Sequence, residues 1–149
     1  MQMLFSFVLG AAVSAFSAVA LAAPPAIVPE GWKLAREPGG TARTFVSPDG
    51  SARIRFGHEP VQAGNRQADA TRFVRKPGER ITYQQRGDTW FVVSGYREGE
   101  IFYRKGNLAC RGSRWNLIEF RYPRDAKEKM DATVTAIAHN MGAYRNDCG

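Results

Sequence analysis

The sequence predicts an α+β domain in which an antiparallel meander sheet of about six strands is covered by a short helix at about residues 65–75 and a C-terminal helix at about residues 126–141. Two observations lead to this fold class. Short segments rich in β-branched and aromatic residues alternate with Gly-, Asp- and Pro-containing turns, which is typical of antiparallel strands. Residues 90–93 and 101–103 are apolar on both strand faces, which indicates a sheet covered on both sides.

Two strands are predicted early in the domain, at residues 43–47 and 51–57, and a first short strand could precede them at residues 32–37. The sequence Ser-Pro-Asp-Gly joins the two strands and has the residue order of a tight turn, so the strands should form a hairpin. In the second arm, apolar residues alternate with Arg53 and Arg55. This strand is therefore predicted to be half-buried, with its arginines facing outward.

The short helix is predicted from spaced apolar residues in a polar segment, and Pro77-Gly78 should end it. Beyond it the pattern returns to short strands separated by turns at Gly87-Asp88 and at residues 97–99, so residues 81–122 should form an antiparallel meander. The strands of this meander are predicted at residues 81–86, 89–96, 100–105 and 114–122.

The C-terminal helix is predicted from a capping signal and an apolar stripe. Asp125 can cap its first turn, with Glu128 three residues later as in a capping box. Gly142 is a natural stop. The stripe follows helical spacing and consists of Met130, Val134, Ile137 and Met141. This helix should cover one face of the sheet and the short helix the other.

The N-terminus resembles an export signal. Residues 1–22 contain no charged side chain, and Ala20-Leu21-Ala22 provides the small residues of a cleavage site, although no Lys or Arg precedes the apolar run. A permanent membrane anchor is the alternative. Cleavage would leave a proline-rich, extended tail at residues 23–31 and a single domain at residues 32–149, with no later segment apolar enough to span a membrane. The predicted location is the periplasm or the exterior of the cell.

The composition excludes an intrinsically disordered chain, and the net charge indicates the kind of partner. Hydrophobic residues make up 44% of the chain, so it is not intrinsically disordered. The 21 Lys and Arg residues exceed the 14 Asp and Glu residues, which gives a net charge of +7. Such a charge favours contact with anionic partners, and it also serves solubility alone.

The only cysteines, Cys110 and Cys148, are predicted to form a disulfide, because a lone pair in an exported protein is usually bonded. Free thiols or a redox pair are the alternatives, although no Cys-x-x-Cys motif is present. No cofactor is predicted. No metal site is predicted either, since two distant histidines, His58 and His139, and two bonded cysteines are a poor supply of ligands.

Several strand and turn segments resemble a group of small exported alphaproteobacterial proteins that carry no assigned activity. The resemblance rests on Gly-Asp-Thr-Trp-Phe-Val-Val-Ser-Gly at residues 87–95, Ile-Phe-Tyr-Arg-Lys at residues 101–105, Cys110, Trp115 and Phe-Arg-Tyr-Pro at residues 120–123. The order of elements is also similar to the PsbP-like fold. Both likenesses imply a fold, and neither supplies a catalytic or binding residue.

Two functions are compatible with these residues. The first is a non-catalytic exported module that binds anionic components of the cell envelope, with no nucleic-acid partner expected. Its candidate anion-binding patch is Arg43, Arg53 and Arg55, because the planar guanidinium group binds two oxygens of a phosphate or carboxylate at once.

The alternative is a small basic secreted hydrolase that acts on an anionic polymer, as a ribonuclease does. Glu119 would be the general base, Arg121 the phosphate clamp and His139 the acid. This hypothesis requires the three side chains to converge in one cleft, whereas His139 is predicted on the solvent face of the C-terminal helix. Tyr83, Tyr96, Tyr103 and Tyr144 could form a stacking platform if the fold placed them on one solvated face.

Overall fold

Seven antiparallel strands form one sheet in a computed structural model of the chain, which describes residues 28–35, 42–62, 66–139 and 148. The strands are β1 (Lys33–Ala35), β2 (Arg43–Val46), β3 (Arg53–Pro60), β4 (Arg80–Arg86), β5 (Trp90–Arg97), β6 (Glu100–Ala109) and β7 (Arg114–Pro123). The helices are α1 (Arg66–Val74) and α2 (Lys127–His139), and short 3-10 turns lie at Cys110–Gly112 and Arg124–Ala126.

The strand order is β1-β2-β3-β7-β6-β5-β4. Strands β4 to β7 form the predicted meander, and β7 then pairs with β3 to join the meander to the N-terminal hairpin. In the turn of that hairpin, Asp49 Oδ1 accepts hydrogen bonds from Ser47 Oγ at 2.6 Å and Ser51 Oγ at 2.9 Å. The predicted α+β class is confirmed, with seven strands described where about six were expected.

The two faces of the sheet carry separate cores. On one face, here called the α2 face, Met130 and Ile137 of α2 pack on side chains of β2, β3, β6 and β7. On the other, the α1 face, Phe73 and Val74 of α1 pack on side chains of β5, β6 and β7. The two helices therefore cover opposite faces, as the apolar central strands require.

Strand β6 continues to Ala109, four residues beyond its predicted end. Gly106-Asn107 has the composition of a turn, but Gly106 lies opposite Phe91 in the β5–β6 ladder. A Cβ at Gly106 would overlap the Phe91 ring, which is fully buried. Gly106 therefore lies within the strand, where the absence of a side chain makes room for the Phe91 ring, and does not form a turn.

The start of α2 differs from the predicted capping box. Asp125 lies inside the 3-10 turn Arg124–Ala126, and the α-helix begins at Lys127. The stripe is confirmed where it is described, since Met130 and Ile137 are buried and Val134 is partly buried against the same core. Met141 and Gly142 lie outside the described residues.

Most of the N-terminal prediction falls outside the described residues, including the signal peptide at residues 1–22 and residues 23–27 of the tail. The remainder of the predicted tail is a turn, because Trp32 N donates to Pro29 O at 3.3 Å and Gly31 has a φ of 83°. Val28 packs against the core of the α2 face. In the part of the chain that is described, no helix has the length and apolar character needed to cross a membrane.

The Cys110–Cys148 disulfide is confirmed, with the two Cα atoms 5.5 Å apart. Cys110 follows β6 directly, and Arg114 Nη1 donates to the Cys148 carbonyl oxygen at 3.2 Å. The bond and this hydrogen bond attach the C-terminus of the chain to the β6–β7 turn, 38 positions earlier in the sequence.

We expect Gly106→Ala to lower the free energy of unfolding by about 1–3 kcal/mol, because the added methyl group displaces the Phe91 ring from a packed core. Urea unfolding monitored by circular dichroism measures the change. Gly57→Ala, in β3 of the same sheet, is the matched control, since its Cβ would meet its nearest neighbour at an ordinary 3.7 Å. Equal losses of stability in the two variants would contradict this explanation.

We expect replacement of both cysteines by serine to lower the free energy of unfolding by about 2–4 kcal/mol, because the unfolded chain regains the entropy that the closed loop removes. Mass spectrometry of the unreduced wild type should show one tryptic species that joins the two cysteine peptides. Full alkylation of both thiols without reductant would show that the bond does not form.

Candidate functional site

The α1 face is charged where α1 does not cover it. Arg53 on β3 lies opposite Arg121 on β7, and Arg55 lies opposite Glu119, so these four side chains share this face. Arg97 on β5 joins them, because it pairs with Glu100 at the turn between β5 and β6. We call the four residues Arg53, Arg55, Arg97 and Arg121 the arginine face.

Glu100 organises one side of the arginine face. Its Oε1 accepts a hydrogen bond from Arg53 Nη2 at 2.7 Å, and its Oε2 lies 3.8 Å from Arg121 Nη1. The Arg53 side chain nevertheless remains 49% exposed. One carboxylate thus holds two guanidinium groups close together, and Arg53 keeps much of its surface open to solvent.

A buried ion-pair network lies at the border between the arginine face and the core under α1. Arg104 on β6 is 2% exposed, and its guanidinium group binds Glu79, Glu119 and the carbonyl oxygen of Phe73. Its Nε donates to Glu119 Oε2 at 2.6 Å and its Nη1 to Phe73 O at 2.8 Å. Burial disfavours the charge of Arg104, but the bonds to Glu79 and Glu119 outweigh this and raise its pKa.

Glu119 is held as a carboxylate by two cations. Lys76 Nζ donates to its Oε2 at 2.9 Å, in addition to the bond from Arg104. Burial alone would raise the pKa of Glu119, but the charges and hydrogen bonds of Arg104 and Lys76 lower it from 4.5 to about 2. A carboxylate with so low a pKa is a weak proton acceptor near neutral pH, which is unfavourable for a general base.

A cavity of about 220 Å³ opens beside this network. Its walls include the cations Arg55, Lys76 and Arg104, the carboxylates Glu59 and Glu119, and the apolar side chains of Phe73 and Leu117. The carboxylates Glu79 and Glu119 compensate Arg104, and Glu119 also pairs with Lys76. The cavity is therefore close to charge balance, in contrast to the arginine face beside it.

No protein-family model matches this sequence, and a search of curated proteins finds no significant match. The function of the chain therefore has to be argued from its own residues. The resemblance to small exported proteins and to the PsbP-like fold stays a prediction.

The register separates the three residues of the predicted anion-binding patch. Arg53 and Arg55 share the α1 face, whereas Arg43 lies opposite Phe56, whose side chain belongs to the core of the α2 face. The three arginines were expected side by side because they lie on one hairpin. Alternation along β2 instead directs Arg43 to the opposite face.

The residues of the hydrolase hypothesis do not converge. Glu119 and Arg121 are neighbours on the α1 face, with 3.5 Å between Glu119 Oε1 and Arg121 Nε. His139 is exposed on α2, which packs on the opposite face. His58, the second histidine, pairs with Asn116 in the ladder and also belongs to the α2 face. Within the described residues, no group of three or more His, Cys, Asp or Glu side chains could hold a metal ion.

Three of the four candidate tyrosines, Tyr83, Tyr96 and Tyr103, lie on the α2 face. Tyr83 and Tyr103 flank Ser94 across three neighbouring strands, and Tyr83 is 48% exposed. Ser94 Oγ donates to Phe102 O, so this serine completes the sheet and is not an activated nucleophile. Tyr96 and Tyr103 are both partly buried against the core of the α2 face, and Tyr96 also lies under the guanidinium group of Arg124, so they do not form an exposed stacking platform with Tyr83. Tyr144 lies outside the described residues.

A larger cavity, of about 330 Å³, lies on the other face of the sheet, between the β2–β3 turn and α2. Trp32 and Met130 form part of its apolar wall, and Asp49 and Glu30 are its carboxylates. Hydrogen bonds from Ser47 and Ser51 hold the pKa of Asp49 well below its usual range. Asp49 therefore has a structural role in the turn.

Sequence reasoning missed Arg97, Arg104, Lys76 and Glu79. A signal for Arg104 was present, because it follows the apolar residues 101–103 in a strand predicted to be covered on both sides. A cation in such a strand requires a buried anionic partner. Its partner Glu79 precedes β4 in a loop, and no periodicity links the two residues.

We expect Glu119→Gln to lower the free energy of unfolding at pH 7 by about 3 kcal/mol, the equivalent of the shift in pKa from 4.5 to about 2. As the pH falls from 4.5 to about 2, the Glu119 carboxylate is protonated in the unfolded chain before it is protonated in the folded protein. The stabilisation by Glu119 is therefore complete above about pH 4.5 and is lost toward pH 2.

Urea unfolding of wild type and Glu119→Gln between pH 7 and pH 2 measures this difference. The two stabilities should converge at the acidic end. Glu128→Gln, which alters an exposed carboxylate of α2, is the control and should follow the wild type. A constant difference between wild type and Glu119→Gln across the whole range would show that the charge of Glu119 does not carry the effect.

Proposed function

We propose that this protein is a non-catalytic exported module that binds an anionic polymer of the cell envelope through the arginine face. One observation carries the proposal: four arginines lie together on a part of the sheet that neither described helix covers. Around them, the six cations Arg53, Arg55, Lys76, Arg97, Arg104 and Arg121 exceed the five carboxylates Glu59, Glu79, Glu98, Glu100 and Glu119 by one positive charge.

The geometry favours binding over hydrolysis. Glu119, the candidate base, already binds two cations, and its pKa of about 2 reflects their charges. Both histidines belong to the other side of the sheet. A guanidinium group can form two parallel hydrogen bonds with a phosphate or carboxylate, and this requires no proton transfer.

Export supports an envelope polymer as the partner. The Cys110–Cys148 disulfide is typical of proteins that fold in an oxidising compartment. Residues 1–22 have the pattern of a secretory signal peptide. A basic exported protein meets phosphate- and carboxylate-bearing polymers in the envelope, whereas nucleic acid is not its expected partner.

We expect the double variant Arg53→Glu, Arg55→Glu to lose co-sedimentation with cell-wall or outer-membrane preparations at low salt. Wild-type binding should itself fall steeply as salt approaches 1 M, where the screening length shortens to about 3 Å. The experiment compares the bound fraction of wild type and variant at each salt concentration.

The matched control is Lys33→Glu, Lys129→Glu, which changes the net charge equally at exposed positions outside the arginine face. If this control also loses binding, net charge and not the arginine face is responsible. If wild type and the Arg53/Arg55 variant sediment alike at low salt, the face has no role. Degradation of RNA or glycan by the purified protein would overturn the non-catalytic assignment.

A further inference from the structure

Strand β4 is the longer of the two edges of the sheet, with seven residues against three in β1. It pairs with β5 on one side only, and within the described residues no strand or helix pairs with its outer side. Residues 82–86 are all exposed. An edge of this kind presents unpaired backbone N–H and C=O groups, which can pair with another extended chain.

The register identifies which backbone groups face outward. Gly87 N donates to Trp90 O at 2.9 Å, so this pair of residues is hydrogen-bonded across the hairpin. Hydrogen-bonded and non-hydrogen-bonded pairs alternate in an antiparallel ladder. In the continuous register from Arg86 to Tyr83, the backbone groups of Gln84 and Arg86 therefore point away from β5.

The edge carries a defined charge pattern. Arg80 and Arg86 mark its two ends, about 20 Å apart in an extended strand, and no acidic residue lies on β4. Tyr83 and Trp90 add exposed aromatic surface on the α2 face beside the edge, at 48% and 37% exposure. The edge thus combines a backbone template with two cations and an adjacent apolar surface.

We propose that β4 is a docking edge for an extended acidic peptide segment of a partner protein, which would add an eighth strand to the sheet. Backbone hydrogen bonds to Gln84 and Arg86 would hold the segment. A register shift between Ile81 and Tyr83 places Arg80 on the α2 face and Arg86 on the α1 face, so acidic side chains five residues apart on the segment would meet the two arginines. This surface is separate from the arginine face and takes a different ligand.

A second copy of this chain fits the edge less well. Two β4 strands paired with each other would bring four arginines and no acidic side chain to one seam. Like charges in neighbouring strands are destabilising. Each copy also carries a net charge of +7, which opposes association.

The test uses the full mature protein and a synthetic probe with its two acidic residues five positions apart, acetyl-Glu-Thr-Val-Thr-Val-Glu-amide, in isothermal titration calorimetry. The wild type should bind this peptide, and the same peptide with Lys in place of Glu should bind at least about tenfold more weakly. Gln84→Pro removes an outward N–H and no hydrogen bond to β5, so it should weaken binding about tenfold or more. Gln84→Ala, which keeps the N–H, should bind as the wild type does.

Two N-methylated forms of the probe test the backbone pairing on the wild-type protein, so the result does not depend on the folding of the proline variant. One form carries methyl groups on the odd-numbered amides and the other on the even-numbered amides. Because only alternate N–H groups of an added strand face the sheet, one form should bind and the other should not. Arg53→Glu, Arg55→Glu should bind the unmodified probe as the wild type does.

Three results would overturn the proposal. Wild type and a folded Gln84→Pro variant could bind the probe equally, or both methylated peptides could bind equally. Sedimentation equilibrium could also reveal a wild-type dimer that Gln84→Pro abolishes, which would assign the edge to a second copy of the chain.

Discussion

The buried guanidinium group of Arg104 is the interaction on which the α1 side of the protein depends. It joins four parts of the chain: β6, which carries it, β7 through Glu119, the C-terminus of α1 through Phe73 O, and the loop before β4 through Glu79. Lys76 reinforces the same loop, because its backbone N–H donates to Glu79 and its side chain binds Glu119. Desolvation of a cation is costly, so an arginine with fewer partners would not be stable at this position.

This network also divides the α1 face into two regions. On one side, Phe73, Phe91 and Trp115 pack together, and Trp115 Nε1 donates to the buried Asp69 of α1 at 2.8 Å. On the other side, neither helix of the described residues covers the strands, and these strands carry the arginine face. The short length of α1, nine residues, thus leaves room for a charged surface on a sheet whose centre is covered on both sides.

Much of the fold could be predicted from local patterns. The Ser-Pro-Asp-Gly turn, the alternation in β3, the meander and the stripe of Met130, Val134 and Ile137 all depend on neighbours in sequence. The end of β6 could not be predicted in this way. Gly106 is required there because a side chain would overlap the Phe91 ring, which lies on another strand. The start of α2 was also missed, since Asp125 can both cap a helix and lie in a 3-10 turn.

The candidate site was harder to predict than the fold, for a geometric reason. Alternation within β3 placed Arg53 and Arg55 together, but the face of Arg43 depends on the register between β2 and β3, which a single sequence does not specify. Glu119 and Arg121 could be associated with each other from their spacing, and they entered the alternative hydrolase hypothesis because the partners that lower the pKa of Glu119 come from β6 and from the segment after α1. Distant pairings of this kind decide whether a carboxylate acts as a base or as a structural anion.

Carboxylates of the same surface would set the character of the binding that we propose at the arginine face. Glu100 holds Arg53 at 2.7 Å and lies 3.8 Å from Arg121, so these side chains are ordered before a ligand arrives and less conformational entropy is lost on binding. A ligand must also compete with Glu100 for the same guanidinium groups. Each contact is therefore expected to be weak and easily screened, and a polymer that engages several arginines at once gains affinity from their number. This favours a repeating anionic polymer over a single small anion as the ligand of this surface.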